Sequence, residues 1–190
     1  GSMMKSEIRD NIAIGENADG SAVFAPTAGK RESGSPKYSW GGTIRGTLGP
    51  IDLGLTAKRT GARYIFDTNE ATFTGTFVPV GAKACASATS CVTPAVFPAA
   101  TQVYGKVAAA YWLVNLDARV NLDFLGLNDQ TYLQLNVYNL TNSFYVGGFG
   151  GGLNQSFSFN RTTGVATYGS PGFVQIGAPR TISGTVVFKF

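Results

Sequence analysis

The sequence contains no histidine, only two cysteines and few charges, with aspartate, glutamate, lysine and arginine making up 14% of its 190 residues. Without an imidazole, Ser-His-Asp and Cys-His catalysis within the chain are excluded, and so is a histidine metal site. Two thiols alone cannot complete a structural zinc site. No stretch of about 20 consecutive apolar residues occurs, which excludes a helical membrane span. The charge content is also low for a soluble surface, where ~25–35% is usual. Nor is there a basic stripe with stacking aromatics. The net charge is +4, and its tightest group, Lys30, Arg31 and Lys37, is interrupted by Glu32. No nucleic-acid partner, cofactor or catalytic activity is expected. A signal peptide is missing too. Gly1-Ser2-Met3 reads as a cloning scar ahead of a start at Met4, so residues 4–190 are expected to be one portion of a longer protein.

Twenty-five glycines and thirteen phenylalanines stand against those absences. Glycine, threonine and aromatics at this level suit strands joined by many turns, and the fold class is all-β. Alternation supports it. Tyr38, Trp40, Gly42, Ile44, Gly46 and Leu48 share one face, and Ser39, Thr43, Arg45 and Thr47 the other. A tight Gly49-Pro50 turn follows, and a second strand from Ile51 is expected to reach Phe66, with Asp52, Thr56 and Lys58 on its polar side. In the third strand Trp112 to Phe124 alternates with Asn115, Asp117, Arg119, Asn121 and Asp123. Leu133, Leu135 and Val137 then alternate with Gln134, Asn136 and Tyr138. Ile8, Ile12 and Ile14 hint at one more strand, and Ser156–Asn160 with Val165–Tyr168 at a hairpin.

The final residues, Thr181 to Phe190, direct Ile182, Gly184, Val186, Phe188 and Phe190 one way and Thr181, Ser183, Thr185 and Lys189 the other. A soluble domain seldom ends on a strand with a ring at its last position, because termini are solvated and loose. An outer-membrane strand of about 9–11 residues, with lipid on one face and a lumen on the other, does. Strands of roughly ten residues or more exceed the soluble mode of ~5–6. The connections alternate between tight turns and long segments at 15–37, 67–102 and 140–179, expected as structureless external loops.

On this reading Arg45, Lys58, Asn115, Asp117, Arg119, Asn121, Asp123, Gln134 and Asn136 line a lumen and are the candidate substrate contacts. Asp117 and Asp123 would stand roughly 20 Å apart on an extended strand, too far to cooperate as acid and base. Cys85 and Cys91 are read as a disulfide closing a small loop in an oxidising compartment, with a pair of free thiols as the alternative. Gly147-Gly-Phe-Gly-Gly-Gly152 lacks the following helix a phosphate loop needs. The triplets at Asn139, Asn154 and Asn160 fit glycosylation acceptors but are expected by chance in loops of this composition.

Two motifs carry a family resemblance. Leu135-Asn-Val137-Tyr-Asn139-Leu140 with Asn142 and Tyr145 is one, and Gly177-Ala-Pro179-Arg180-Thr181 leading into the final strand is the other. They resemble the closing strands of TonB-dependent outer-membrane receptors, with Asn142 where Asp is commoner. Gly29-Lys30-Arg31 to Pro36-Lys37-Tyr38, and Gly61-Ala-Arg63-Tyr64 with Asp67 and Asn69, resemble weaker features of the same family. The resemblance implies about six strands of a barrel of ~22 in the bacterial outer membrane, its plug and TonB box lying outside this sequence. It implies energised uptake of a scarce nutrient such as a siderophore, cobalamin or oligosaccharide. The implied partners are outer-membrane lipid, the TonB complex through the N-terminal part, and the barrel-assembly machinery, which Phe188 and Phe190 would signal. The rival readings are a small self-contained outer-membrane barrel acting as pore or adhesin, and a soluble β-barrel or sandwich binding a small ligand.

Overall fold

The computed structural model describes residues 1–94, 99–128 and 130–189. Its centre is one antiparallel sheet whose long strands neighbour each other in chain order. We label them β1 (Tyr38–Leu48), β2 (Ile51–Thr60), β3 (Tyr111–Asn121), β4 (Tyr132–Tyr138) and β5 (Thr181–Val187). A sixth, very short strand, Ser2–Met3, pairs with Ser39 and Tyr38 at the start of β1, so two of the three expected scar residues contribute to the sheet. Among the described residues the sheet does not close on itself: β5 has β4 as its only neighbour. The all-β, antiparallel, up-and-down architecture follows the alternation in the sequence.

Register stacks the alternation into rows. Ile44, Leu55, Leu116, Val137 and Ile182 are successive cross-strand partners, and so are Leu48, Ile51, Val120, Leu133 and Val186. The intervening positions form polar rows, among them Thr47, Asp52, Arg119, Gln134 and Thr185. Because the side-chain period is two, every strand is locked to the same choice of face. Gly49 makes the β1–β2 turn possible, with φ of 59° at the first central position, the geometry a two-residue hairpin wants before proline.

Among the described residues nothing is packed on the apolar face. Ile44 is 77% exposed, Leu48 74% and Ile182 64%, and Trp40, Leu53, Leu55, Leu133, Leu135 and Val186 are exposed as well. The buried hydrophobic residues lie elsewhere: Val23, Ala25, Ile65, Phe66, Ala82, Cys85, Ala108, Val146 and Ala166 all belong to the long connections, and Val137 alone is on the sheet.

Antiparallel order puts every long segment at one end of the sheet and the turns 49–50 and 122–131 at the other. The long segments were expected to be structureless, and here the structure differs. Ile12–Glu16 pairs with Ala22–Ala25, and Ile8 lies outside that strand. Thr72–Phe77 sits between Ala100–Tyr104 and Val165–Tyr168, and the expected hairpin partner Phe157–Asn160 completes a four-stranded sheet. Side-chain amides bind these pieces where strand pairing stops. The Gln155 Oε1 accepts from Phe73 N–H at 2.9 Å, and its Nε2 donates to the Phe73 and Gly169 carbonyls. Asn69 exchanges a comparable pair with Arg31, at 2.9 and 2.6 Å.

Two strands end earlier than expected. β2 ends at Thr60, although Gly61 N–H still bonds the Tyr38 carbonyl at 2.9 Å; Arg63–Tyr64 then pairs with Val107–Ala108, and Ile65 and Phe66 enter the loop-layer core. β3 stops at Asn121: Leu122 leaves the extended region (φ −105°, ψ 18°), and Asp123–Leu125 forms a 3-10 turn closed by left-handed Gly126. Asp123 is therefore not on the polar face, and its Oδ1 accepts from Phe124 N–H at 2.9 Å.

The two motifs at the chain's end meet in space. Asn139 is buried with φ of 51°, and its Nδ2 donates to the carbonyls of Ser143 and Ala178 while its Oδ1 accepts from Ser143 N–H. Asn142, with φ of 52°, accepts Arg180 N–H at 3.0 Å. Gly177 N–H reaches the Tyr145 carbonyl at 2.8 Å, and a Cβ on Gly177 would collide with the Tyr145 ring. This junction aims the chain into β5. Asparagine tolerates the left-handed region better than other side-chain-bearing residues. Asn139→Ala is expected to cost ~2–4 kcal/mol through strain and orphaned buried groups. Asn142→Asp keeps the acceptor and is expected to cost under ~1 kcal/mol. Urea unfolding followed by circular dichroism checks both, and equal losses would contradict the assigned roles.

Candidate functional site

Two regions can meet a ligand: the polar face of the sheet and a cavity in the loop layer. On the polar face, register brings Arg45, Gly54, Asp117, Asn136 and Ser183 into one row. A Cβ on Gly54 would lie 2.5 Å from Asp117 Oδ1, so the missing side chain is what lets the carboxylate lean across β2. From there Asp117 meets Arg45 at 3.6 Å. In the adjacent row Thr47 donates to Asp52 at 2.7 Å. Arg119 donates to Asn121 at 3.2 Å and holds its guanidinium 3.8 Å over the Tyr132 ring. Gln134 donates to Asn136 at 3.3 Å.

Arg45, Asp117, Arg119, Asn121, Gln134 and Asn136 thus share one surface, as the alternation requires. Lys58 shares the face in a row with Gly41 and Leu113, away from this group. Asn115 has a structural task, its Oδ1 accepting Asn139 N–H at 3.0 Å and fixing the end of β4. A shallow depression of about 460 Å³ lies between Arg45, Thr47, Asp52, Asp117, Arg119 and Gln134. Its charges balance in sign, and exposed pairs of this kind contribute at most about 1 kcal/mol each. The surface is suited to wet, weak contact with polar solutes. Among the described residues no group of His, Cys, Asp and Glu could hold a metal ion.

Phe188 lies exposed just beyond β5, and Phe190 lies outside the described residues. Thr131, fully buried in the 122–131 turn, accepts Lys189 N–H at 3.2 Å and anchors this end of the chain. Cys85 and Cys91 are cross-strand partners in the hairpin Ala84–Ser87 and Ser90–Val92 and are joined by a disulfide. Trp40 and Trp112 face Arg59 from either side at the loop end of the apolar face, their rings 4.6 Å apart. Phe124, expected on the third strand, sits in the turn instead.

The loop-layer cavity holds about 460 Å³ and is walled by Phe24, Phe66, Phe73, Phe77, Phe157 and Tyr168, with Glu70 and Lys106 also lining it. Phe77 stacks on Tyr168 at 4.2 Å and meets Phe157 edge-on at 5.3 Å. None of these residues was among the candidate contacts read from the sequence. The available signal was the Phe73-Thr-Gly-Thr-Phe77 alternation, which puts both rings on one side of a strand. Burial pushes the Tyr168 phenol above its ordinary pKa, and the Glu70 carboxylate adds to the shift. Nearby, Asp19 is held well below the usual carboxylate range by the Lys83 ammonium at 2.6 Å and by Ser21, stitching 12–25 to the 78–84 segment.

No protein-family model matches this chain, and no curated protein matches it. No helix among the described residues is long and apolar enough to cross a membrane, which says nothing about crossing by strands.

The Tyr168 environment gives a pH prediction. Its folded pKa is raised, so the fold prefers the neutral phenol, and stability is lost as pH climbs above ~10 toward the raised value. Glu70→Gln is expected to lower that pKa only partway, because burial is the larger cause. Phenolate absorbance, with Tyr168→Phe subtracted to isolate this residue, reads it. An ordinary titration for Tyr168 would contradict the packing described.

Proposed function

We propose that this chain is the C-terminal barrel segment of a TonB-dependent outer-membrane receptor, serving energised uptake of a scarce nutrient. The observation that carries the reading is the uncovered apolar face of a single-layer sheet. Fully burying one such side chain contributes ~1.5–3 kcal/mol. Half of that for each of Trp40, Ile44, Leu48, Leu53, Leu55, Leu133, Leu135, Ile182 and Val186 amounts to on the order of 10 kcal/mol. That is as large as the whole net stability of a typical domain, about 5–15 kcal/mol. Lipid would supply the missing cover. From Tyr38 to Leu48 the strand runs roughly 34 Å at ~3.4 Å per residue, about 26 Å once tilted by ~40°, close to an apolar band ~25 Å tall. The Trp40–Trp112 pair stands where an interfacial girdle would be.

The segregation of short turns and long segments supports the same reading, since outer-membrane barrels have short periplasmic turns and longer external loops. A disulfide within the loop layer suits an oxidising exterior. The junction of Asn139 and Asn142 with Ala178 and Arg180 gives the two resembling motifs one shared physical task. A soluble sandwich would pack a second sheet on the apolar face, and a small closed barrel would pair its edge strands; neither feature occurs among the described residues. In lipid an unpaired β5 edge leaves backbone groups unsatisfied at several kcal/mol each. The reading therefore requires further strands to close the barrel. The polar face then becomes channel lining, and the role involves no catalysis.

Arginine substitution at adjacent positions tests the reading. With the chain folded into lipid vesicles, Leu55→Arg is expected to cost ~2–4 kcal/mol and Thr56→Arg less than ~1 kcal/mol. Tryptophan fluorescence during urea titration measures both. Equal costs, or a Leu55→Arg protein that becomes a stable monomer in plain buffer, would overturn the assignment to lipid.

A further inference from the structure

The loop-layer cavity has a chemistry of its own. Its volume of about 460 Å³ lies within the ~300–1,000 Å³ of small-molecule sites. One wall is the stack of Phe73, Tyr168 and Phe77, with Phe157 set edge-on against it, and Phe24 and Val80 also line it. These rings offer large apolar area at little cost in side-chain freedom.

The polar groups bordering the cavity are mostly committed. Gln155 spends its amide on Phe73 and Gly169, and Asn69 spends its own on Arg31 and Phe66. Neither is free to read a hydroxyl pattern, which argues against an oligosaccharide here. Glu70 is paired with Lys30 at 4.0 Å. Lys106 is different: it is exposed, lines the cavity, and its ammonium has no ion pair among the described residues.

We infer that this cavity binds a small ring-bearing apolar molecule carrying one anionic group, its ring against Phe77 and Tyr168 and its anion at Lys106. As cargo, such a molecule rests on the receptor reading; as a bound ligand, it does not.

Three naphthalene probes of similar size, bearing a carboxylate, a hydroxymethyl or an aminomethyl group, test it by calorimetric titration of the full chain in detergent micelles. Protein-free micelles serve as the blank. The carboxylate is expected to bind several-fold more tightly than the neutral probe, and the ammonium most weakly. Lys106→Gln removes the gap between carboxylate and neutral probes, and Tyr168→Ala weakens all three at least tenfold. Val80→Trp fills the cavity without deleting a wall and is also expected to cost at least tenfold, so a misfolded Tyr168→Ala leaves the test intact. Binding unchanged by Val80→Trp, or strongest for the ammonium probe, would overturn the inference. Leu55→Arg separates the two proposals: lipid insertion unimpaired by Leu55→Arg, with probe binding retained, rejects the membrane reading and keeps the cavity.

Discussion

The whole structure depends on one constraint: strict alternation along the strands of a single-layer sheet. Alternation gives β1 to β5 an apolar and a polar face, and register aligns those faces into continuous rows. Among the described residues no second layer covers the apolar rows, so the sheet depends on its hydrogen-bond ladder more than on an internal core. A one-residue slip in any strand would bring its leucines to the polar side, which is why register here is specified by every strand together.

The core that the chain does possess lies in its connections. Segments with many glycine, asparagine and threonine residues fold over one end of the sheet and bury Val23, Ile65, Phe66, Val146 and Ala166. Their cohesion comes from short strand pairs and from asparagine and glutamine amides that imitate strand partners, as Gln155 does for Phe73 and Gly169. This arrangement gives the molecule a cap with an aromatic cavity next to a sheet whose exposed polar face is only weakly cross-linked. Cap and sheet are joined by the Asn139 and Asn142 contacts that hold Ala178 and Arg180.

Period-two alternation made the five long strands legible, because a sheet face writes itself directly into the chain. The adjacent polar rows of Arg45 with Asp117 and of Arg119 with Gln134 were legible for the same reason. Strand ends were not. Nothing in Leu122-Asp123-Phe124 breaks alternation, yet Gly126 turns the chain and removes Asp123 from the face. The loop layer was also largely hidden: its pairings are long-range, such as Thr72–Phe77 with Val165–Tyr168, so local alternation like that of Phe73 to Phe77 does not show which segments pair. Side-chain amides that finish those pairings look in sequence like ordinary loop composition. The aromatic cavity was hidden with them, since Phe24, Phe77 and Tyr168 come from three separate segments.

The most direct test of the account is a scan of single spin labels along Ile51–Thr60 with the chain in lipid vesicles, comparing exposure to oxygen and to a water-soluble nickel complex. The account expects period-two behaviour in opposite phase: positions 53, 55 and 57 open to oxygen, and positions 52, 56 and 58 open to nickel. Equal access to the aqueous reagent on both faces, with no alternation, would contradict it.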